Sequence, residues 1–292
     1  RRLRPLYIWA GGKNKMIPKY LAEPGIPGDF ETFVEPFFGG GAMTCWMSKN
    51  RPDKSFVIND VKDEIIGIYR AIKDDLNTFI DKLKSLEDEY LPMPPWRRKD
   101  FYYDLREQYY EPQWGKIEES AVLYFLMRTS FNGIWQSNEK SNGRFATPVG
   151  LVDEHKVFDE YNIIQWHHFL QNAEIRCGDW SELKYDNAFY FMDPPYRDSI
   201  TTYGEGNDDT MQKALVKFCR DEDARGNYVF LCNRKEDDFF EQIQGDLDIK
   251  YYDITYTAGR RKHEEDGFSA KQAVEILLHS KSINNSTLEA FL

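Results

Sequence analysis

Short apolar runs alternate with segments of helical period along most of this chain. Glu31-Thr32-Phe33-Val34-Glu35-Pro36 reads as a strand that runs into Phe37-Phe38-Gly39-Gly40-Gly41, and a helix follows from Ala42 to about Lys49. Lys54–Ile58 is the next strand, ending at Asn59-Asp60. Ile65, Ile68, Tyr69, Ile72, Leu76, Phe79, Ile80 and Leu83 then recur at helical spacing. Ahead of these, Ile8-Trp9-Ala10-Gly11-Gly12-Lys13 forms a glycine-bearing turn that opens a helix over Lys15–Leu21. The alternation returns late in the chain. Ile175–Cys177, Ala188–Met192, Tyr228–Cys232 and Ala273–Leu278 read as strands, with a helix over Met211–Cys219. Strands alternating with helices predict an α/β fold.

The middle of the chain has a different texture. Tyr90–Trp114 carries Pro92, Pro94, Pro95 and Pro112 with Trp96 and a cluster of tyrosines. Ser120–Met127 is an apolar helix, and Ser130–Gly150 is polar and glycine-bearing, like a loop or hairpin. The pattern therefore predicts a sheet domain over residues 1–74 and 173–292, interrupted by an insert over 75–172. There is no internal repeat and no low-complexity segment.

Composition narrows the class. Hydrophobic residues make up 41% and charged residues 30%, as in a soluble globular protein. No run of about 18 apolar residues exists, so no membrane span is expected. Arg1-Arg2-Leu3-Arg4-Pro5 is basic, but no apolar stretch follows, so no signal peptide is expected. Cys45, Cys177, Cys219 and Cys232 lie far apart and are expected to be reduced thiols of a cytoplasmic protein. They form no metal-ligand spacing with the histidines, and His167-His168 reads as a partly exposed helix pair, so no metal is expected. The formal charge is 38 − 49 = −11. A nucleic-acid partner then needs a local basic face. Arg97-Arg98-Lys99 and Arg260-Arg261-Lys262 are the candidates, and an ordinary solvated surface is the alternative for each.

The chemistry concentrates at Asp193-Pro194-Pro195-Tyr196, directly after the apolar run Ala188–Met192. In open α/β sheets ligands bind at the carboxyl ends of strands. An acid, two rigid prolines and an aromatic there suit methyl transfer to an exocyclic amine of a planar base. Such a nitrogen is a poor nucleophile because its lone pair is delocalised into the ring. A carboxylate and a backbone carbonyl that accept its two hydrogens draw it towards tetrahedral geometry. Pro194 has no N–H, but its C=O remains free to accept. Tyr196 supplies a ring on which the base stacks.

A second constellation concerns a cofactor. Gly39-Gly40-Gly41 stands between a strand and a helix, where glycines allow close backbone approach. Asp60 follows about 20 residues on, where an acid holds ribose hydroxyls. No Gly-Lys-Ser/Thr follows the glycines, and the spacing departs from Gly-x-Gly-x-x-Gly. That favours a nucleoside cofactor without pyrophosphate, such as S-adenosylmethionine.

These pieces together resemble the Dam-type DNA adenine N6-methyltransferases. The matching segments are Trp9-Ala10-Gly11-Gly12-Lys13, Phe33-Val34-Glu35-Pro36-Phe37-Phe38-Gly39-Gly40-Gly41, Ile58-Asn59-Asp60, Phe131-Asn132-Gly133, Arg144-Phe145-Ala146-Thr147-Pro148-Val149-Gly150 and Asp193-Pro194-Pro195-Tyr196. They occur in the family's order and span most of the chain. The resemblance implies a class I, Rossmann-like methyltransferase sheet with an inserted, mainly helical DNA-recognition domain carrying a hairpin. It implies transfer of a methyl group from S-adenosylmethionine to N6 of a flipped adenine in duplex DNA, without metal, and in some systems a cognate restriction endonuclease as partner. The cofactor would be held by Trp9, Ala10, Gly11, Gly12, Lys13, Glu35, Phe37, Gly39, Gly41, Asp60, Asp179 and Asp193. Asp193, Pro194, Pro195 and Tyr196 would form the catalytic set.

On the insert, the resemblance implies DNA contacts from Arg128, Phe131, Asn132, Gln136, Asn138 and Arg144. Phe131 suits a wedge between bases, and Asn132 and Gln136 suit base edges. Gln136 stands where many members carry an arginine suited to guanine, and the hairpin is longer than in comparable members. Gln pairs with adenine rather than guanine. The expected target is therefore something other than strict GATC. Simpler roles remain open: core packing for Trp9, a helix-start lysine for Lys13, a turn cap for Asp179, and plain loop positions on the hairpin. Methylation of RNA or of cytosine N4, and a non-catalytic nucleic-acid-binding relative, are the alternative functions.

Overall fold

The structure is a computed structural model that describes residues 3–9, 11–132, 135–138, 140–150, 155–197, 209–256 and 271–283. Its strands are β1 (Thr32–Glu35), β2 (Ser55–Asp60), β3 (Ala173–Cys177), β4 (Ala188–Met192), β5 (Tyr228–Arg234), β6 (Asp248–Tyr256) and β7 (Lys271–His279). They form one seven-stranded sheet in the order β3-β2-β1-β4-β5-β7-β6. β2 pairs with β3 in parallel, Ile58 opposite Ile175, and β4 pairs with β5 in parallel, Phe191 opposite Phe230. β7 is antiparallel to both β5 and β6. This is the doubly wound order 3-2-1-4-5-6 with one reversed strand slipped in before the last. The expected Rossmann-like α/β sheet is thus the fold of the chain.

The helices are α1 (Ile17–Ala22), α2 (Ala42–Asn50), α3 (Asp63–Asp74), α4 (Leu76–Tyr90), α5 (Pro95–Tyr109), α6 (Lys116–Thr129), α7 (Glu160–Leu170), α8 (Asp209–Ala224) and α9 (Phe239–Ile243). No helix among the described residues is long and apolar enough to cross a membrane. The chain divides into two compact units. One comprises Arg1–Asn14 and Val34–Leu183, and the other comprises Lys15–Phe33 and Lys184–Leu292.

In the first unit, α3 packs on β2 and β3 and against α6 and α7, while α4 and α5 also rest on α6. α6 is therefore the hub, and Ala121 to Met127 are all buried. That accounts for the unbroken apolar run in the sequence. The apolar period from Ile65 to Leu83 predicts one helix, but two form. Asp75 leaves helical geometry at φ −148°, ψ 80°, and its carboxylate accepts from Thr78 N at 3.0 Å and Thr78 Oγ1 at 2.7 Å. An aspartate cap starts a new helix without disturbing the hydrophobic phase. The proline-rich stretch contains α5, which sequence reading did not anticipate. Pro94 is extended and Pro95 occupies the first turn, where a missing N–H costs nothing. His167 and His168 do lie on a helix, α7, half-buried and exposed respectively.

In the second unit, β4 is buried along its whole length and β5 nearly so, as central strands are. α8 packs on β5 and buries Leu215, Val216, Phe218 and Cys219, with Phe218 against Tyr190 and Cys219 against Met192 of β4. Tyr20 of α1 is fully buried against the rings of Phe191, Phe230 and Tyr252. All four cysteines are free thiols; Cys45, Cys219 and Cys232 are buried and Cys177 is half-exposed.

Candidate active site

In the first unit the loop ends beyond β1, β2 and β3 are stitched together by Asn59. Its Nδ2 donates to Pro36 O at 2.9 Å and to Gly178 O at 3.1 Å. Phe38 N donates to Asn59 O, and Gly178 N to Asp60 O. Asp60 then turns inward. Its Oδ2 accepts from Gly39 N at 3.0 Å and its Oδ1 from Lys62 N at 3.0 Å. Burial raises the carboxyl pKa above the ordinary value, although the N–H groups of Lys62 and Gly39 and the nearby Lys62 charge pull it back down. Glu35, at the end of β1, is also buried; its Oε2 accepts from Thr44 N at 3.1 Å and Thr44 Oγ1 at 2.5 Å.

The glycine loop has a specific reason to be glycine. Gly39 holds φ +49°, and a Cβ there would stand 2.5 Å from Nε1 of Trp9. Gly41 holds φ +64°, and a Cβ there would stand 2.3 Å from Cζ of Phe38. The group that approaches Gly39 is thus the indole of Trp9. Tyr7 Oη fixes the same turn by donating to Gly39 O at 2.9 Å. Lys13 is buried, and its Nζ donates to Gly11 O at 2.9 Å. Phe37 is half-exposed, 6.2 Å from the equally half-exposed ring of Trp180 and tilted 33° to it. Asp179 is exposed, and its carboxylate caps the turn Trp180–Glu182 by accepting from Ser181 N at 2.7 Å. Ala10 lies outside the described residues.

The hairpin segment belongs to the same unit. An antiparallel bridge between Ser130 and Val149 closes its stem. Phe131 is half exposed to solvent at 50%, and Asn132, at φ +52°, is exposed beside it. Gln136 also has an exposed side chain, while its backbone N donates to Thr147 Oγ1. Asn138 Oδ1 accepts from Ser141 N at 2.9 Å and so shapes the turn. The two arginines have partners inside the unit. Arg128 Nε donates to Val157 O at 2.8 Å. Arg144 pairs with Glu119, approaches Glu64 at 3.7 Å and lies over the Tyr109 ring at 3.9 Å. Trp135 is buried between Trp9, Phe145 and the Lys62 ammonium. Arg98 of the basic triplet donates to Leu91 O and Met93 O; Arg260-Arg261-Lys262 and Gly133 lie outside the described residues.

In the second unit, Asp193-Pro194-Pro195-Tyr196 leaves the end of β4, with Pro194 buried and Asp193, Pro195 and Tyr196 half-buried. Arg197 anchors the far side through Asp209 at 2.5 Å, Asp237 at 2.8 Å and the ring of Phe239. Two buried amides, Gln212 and Asn233, touch this segment from α8 and β5. Sequence reading missed both, as it missed Trp180. Only a long-range contact reveals them, although an Asn ending an otherwise apolar strand was a signal.

Sheet order and loop chemistry together define a class I methyltransferase. Residues 9–262 match the model of the D12 class N6 adenine-specific DNA methyltransferases. The chain is 32% identical over 268 residues to the Type II methyltransferase M.MjaIII of Methanocaldococcus jannaschii, covering 85% of this chain and 90% of that protein. It is 26% identical over 199 residues to the DNA adenine methylase of Haemophilus influenzae, covering 66% and 64%. A solved methyltransferase from Pyrococcus furiosus aligns with 90% of this chain and 82% of its own at a TM-score of 0.35 and 11% identity, and the fold assignment rests on the strand order instead. The chain belongs to the D12 class N6 adenine-specific DNA methyltransferases, and its activity is site-specific methylation of adenine in DNA.

Proposed function

We propose that S-adenosylmethionine is the methyl donor and that the glycine loop, Glu35, Asp60 and the Phe37–Trp180 pair hold it. One observation carries this reading. The N–H groups of Gly39 in the loop and of Thr44 in the first turn of α2, which would cradle a phosphate, already donate to Asp60 and Glu35. What the loop offers is carboxylate and aromatic surface, which suits a ligand with an ammonium, a ribose diol and an adenine but no phosphate. A carboxylate oxygen has a second lone pair, so Asp60 retains capacity for a ribose hydroxyl. Trp9, Gly11, Gly12, Lys13, Gly41 and Asp179 complete the set taken from the family motifs. When bound, the cofactor supplies an electrophilic methyl group on a sulfonium.

The remaining chemistry belongs to the chain. Asp193 and the Pro194 carbonyl accept the two amine hydrogens of the target adenine and aim its lone pair. Tyr196 stacks on the base, which is drawn out of the duplex because its N6 is otherwise out of reach. Asp193 then accepts the proton that N6 sheds. Residues 75–172 act as the target-recognition part. Phe131, Asn132 and Gln136 meet the DNA through the exposed tip, Asn138 shapes it, and Arg128 and Arg144 brace it. Gln136 directs the enzyme to a target other than strict GATC. A cognate endonuclease of the same target is the partner to seek, as for a type II system. Calorimetric titration of the full chain tests the cofactor reading. S-adenosylmethionine should bind and ATP should not; binding of ATP alone would overturn it.

A further inference from the structure

We infer that Gln212 and Asn233 are positioning residues that hold Tyr196 ready for the target base; the inference rests on the reading of Tyr196 as the stacking platform. Both side chains are fully buried. Gln212 Nε2 donates to Pro195 O at 3.1 Å. Asn233 Nδ2 donates to Gln212 Oε1 at 2.9 Å. Asn233 Oδ1 in turn accepts from Arg197 N at 3.3 Å and from Arg234 N at 2.9 Å. The chain of contacts therefore leaves the backbone on one side of Tyr196 and returns to it on the other.

The polarity of this bracket is fixed by the backbone. Pro195 can only accept, because it has no N–H, and Arg197 N can only donate. Turning either amide over would face donor against donor and acceptor against acceptor. Each amide thus has one workable orientation, and that orientation depends on this loop. Packing alone does not call for two buried amides, since α8 already rests on the sheet through Phe218 against Tyr190 and Cys219 against Met192, with Leu215 and Val216 buried beside them. Buried amides are costly when unsatisfied and rigidifying when satisfied. Their useful effect is on the residue they enclose. With Pro195 and Arg197 both pinned, the backbone of Tyr196 is set before a base arrives, and less ordering is needed when it does. The Arg197 side chain, tied to Asp209 and Asp237, guards the same segment from outside.

The test uses the full-length enzyme under single-turnover conditions, with a duplex carrying its target site and with 2-aminopurine in place of the target adenine in a parallel set. Gln212→Met keeps length and bulk and removes both hydrogen bonds. Its methyl-transfer rate should fall on the order of tenfold, while S-adenosylmethionine affinity stays within about twofold. The emission change of 2-aminopurine on binding should shrink in the same variant. Gln212→Met added to Tyr196→Ala should cost nothing further, because the bracket acts through Tyr196. Gln212→Glu should be as impaired as Gln212→Met, since it sets an acceptor against Pro195 O. A Gln212→Met rate within about twofold of wild type, or a full additional loss on the Tyr196→Ala background, would overturn the inference. If Gln212→Met fails to fold, Asn233→Asp takes its place with the same expected and overturning results. It keeps the acceptor for Arg197 N and loses only the donor to Gln212. Tyr196→Ala with a wild-type rate would instead sink the stacking reading itself.

Discussion

Replacing Gly39 by alanine tests the packing of the cofactor loop quantitatively. Two costs add at this position. The backbone holds φ +49°, which costs an L side chain about 1–2 kcal/mol. The new Cβ would also stand 2.5 Å from Nε1 and 2.9 Å from Cδ1 of Trp9, an overlap worth about 1–3 kcal/mol while the indole stays. Gly39→Ala should therefore lose about 2–5 kcal/mol in chemical unfolding followed by circular dichroism. The partition can be measured. In a Trp9→Ala background the crowding is gone, and the same substitution should cost only the backbone part, about 1–2 kcal/mol. Cofactor affinity should fall in Gly39→Ala as the indole is displaced. An equal cost in both backgrounds would mean that Trp9 does not rest on Gly39. No cost in either would refute the left-handed loop.

Three further outcomes are expected. Asp193→Ala should lower turnover at least about a hundredfold with a much smaller change in cofactor affinity, as for loss of one oriented transition-state partner; near-normal turnover in a steady-state assay would remove Asp193 from the chemistry. Burial raises the Asp60 pKa, so protonation favours the folded state: the ionised carboxyl is a net cost to stability at neutral pH, and stability from this group is lost as pH rises through the folded pKa. The same shift makes S-adenosylmethionine binding weaken on acidification from above the ordinary carboxylate value of about 4, and titrations of Asp60→Asn should lack that inflection. Gln136→Arg should add preference for guanine at one position of the target, worth about 1–3 kcal/mol, read by modification-sensitive sequencing; an unchanged target would take Gln136 out of base readout.

The central strands were legible because burial on both faces leaves an unmistakable apolar run, as in Ala188–Met192, and the polar tetrapeptide after it stands out by contrast. The loop at Gly39 was legible as a close approach, but not what approaches it, since Trp9 comes from another part of the chain. The break at Asp75 was hidden because α4 continues the hydrophobic phase of α3. α5 was hidden because Pro94 and Pro95 read as breakers when they initiate a helix. β6 was missed because none of its described side chains is buried, so it leaves no apolar run. Gln212 and Asn233 lie 17 and 36 positions from their backbone partners; the Asn after an apolar run stood out locally, but what it and Gln212 bind did not. Arg144 was expected to contact DNA, and no local pattern showed that Glu119, Glu64 and Tyr109 come together around its guanidinium.

Transfer of a methyl group from S-adenosylmethionine to adenine N6 in DNA at a defined site can be read directly. The most direct measurement incubates the protein with unmethylated duplex DNA and methyl-labelled S-adenosylmethionine, digests the product to nucleosides and sequences a parallel sample with modification-sensitive reads. Label should appear in N6-methyldeoxyadenosine alone, at one recurrent sequence that is not confined to GATC. Label in cytosine, transfer to RNA in preference to duplex DNA, or no transfer to DNA at all would contradict it.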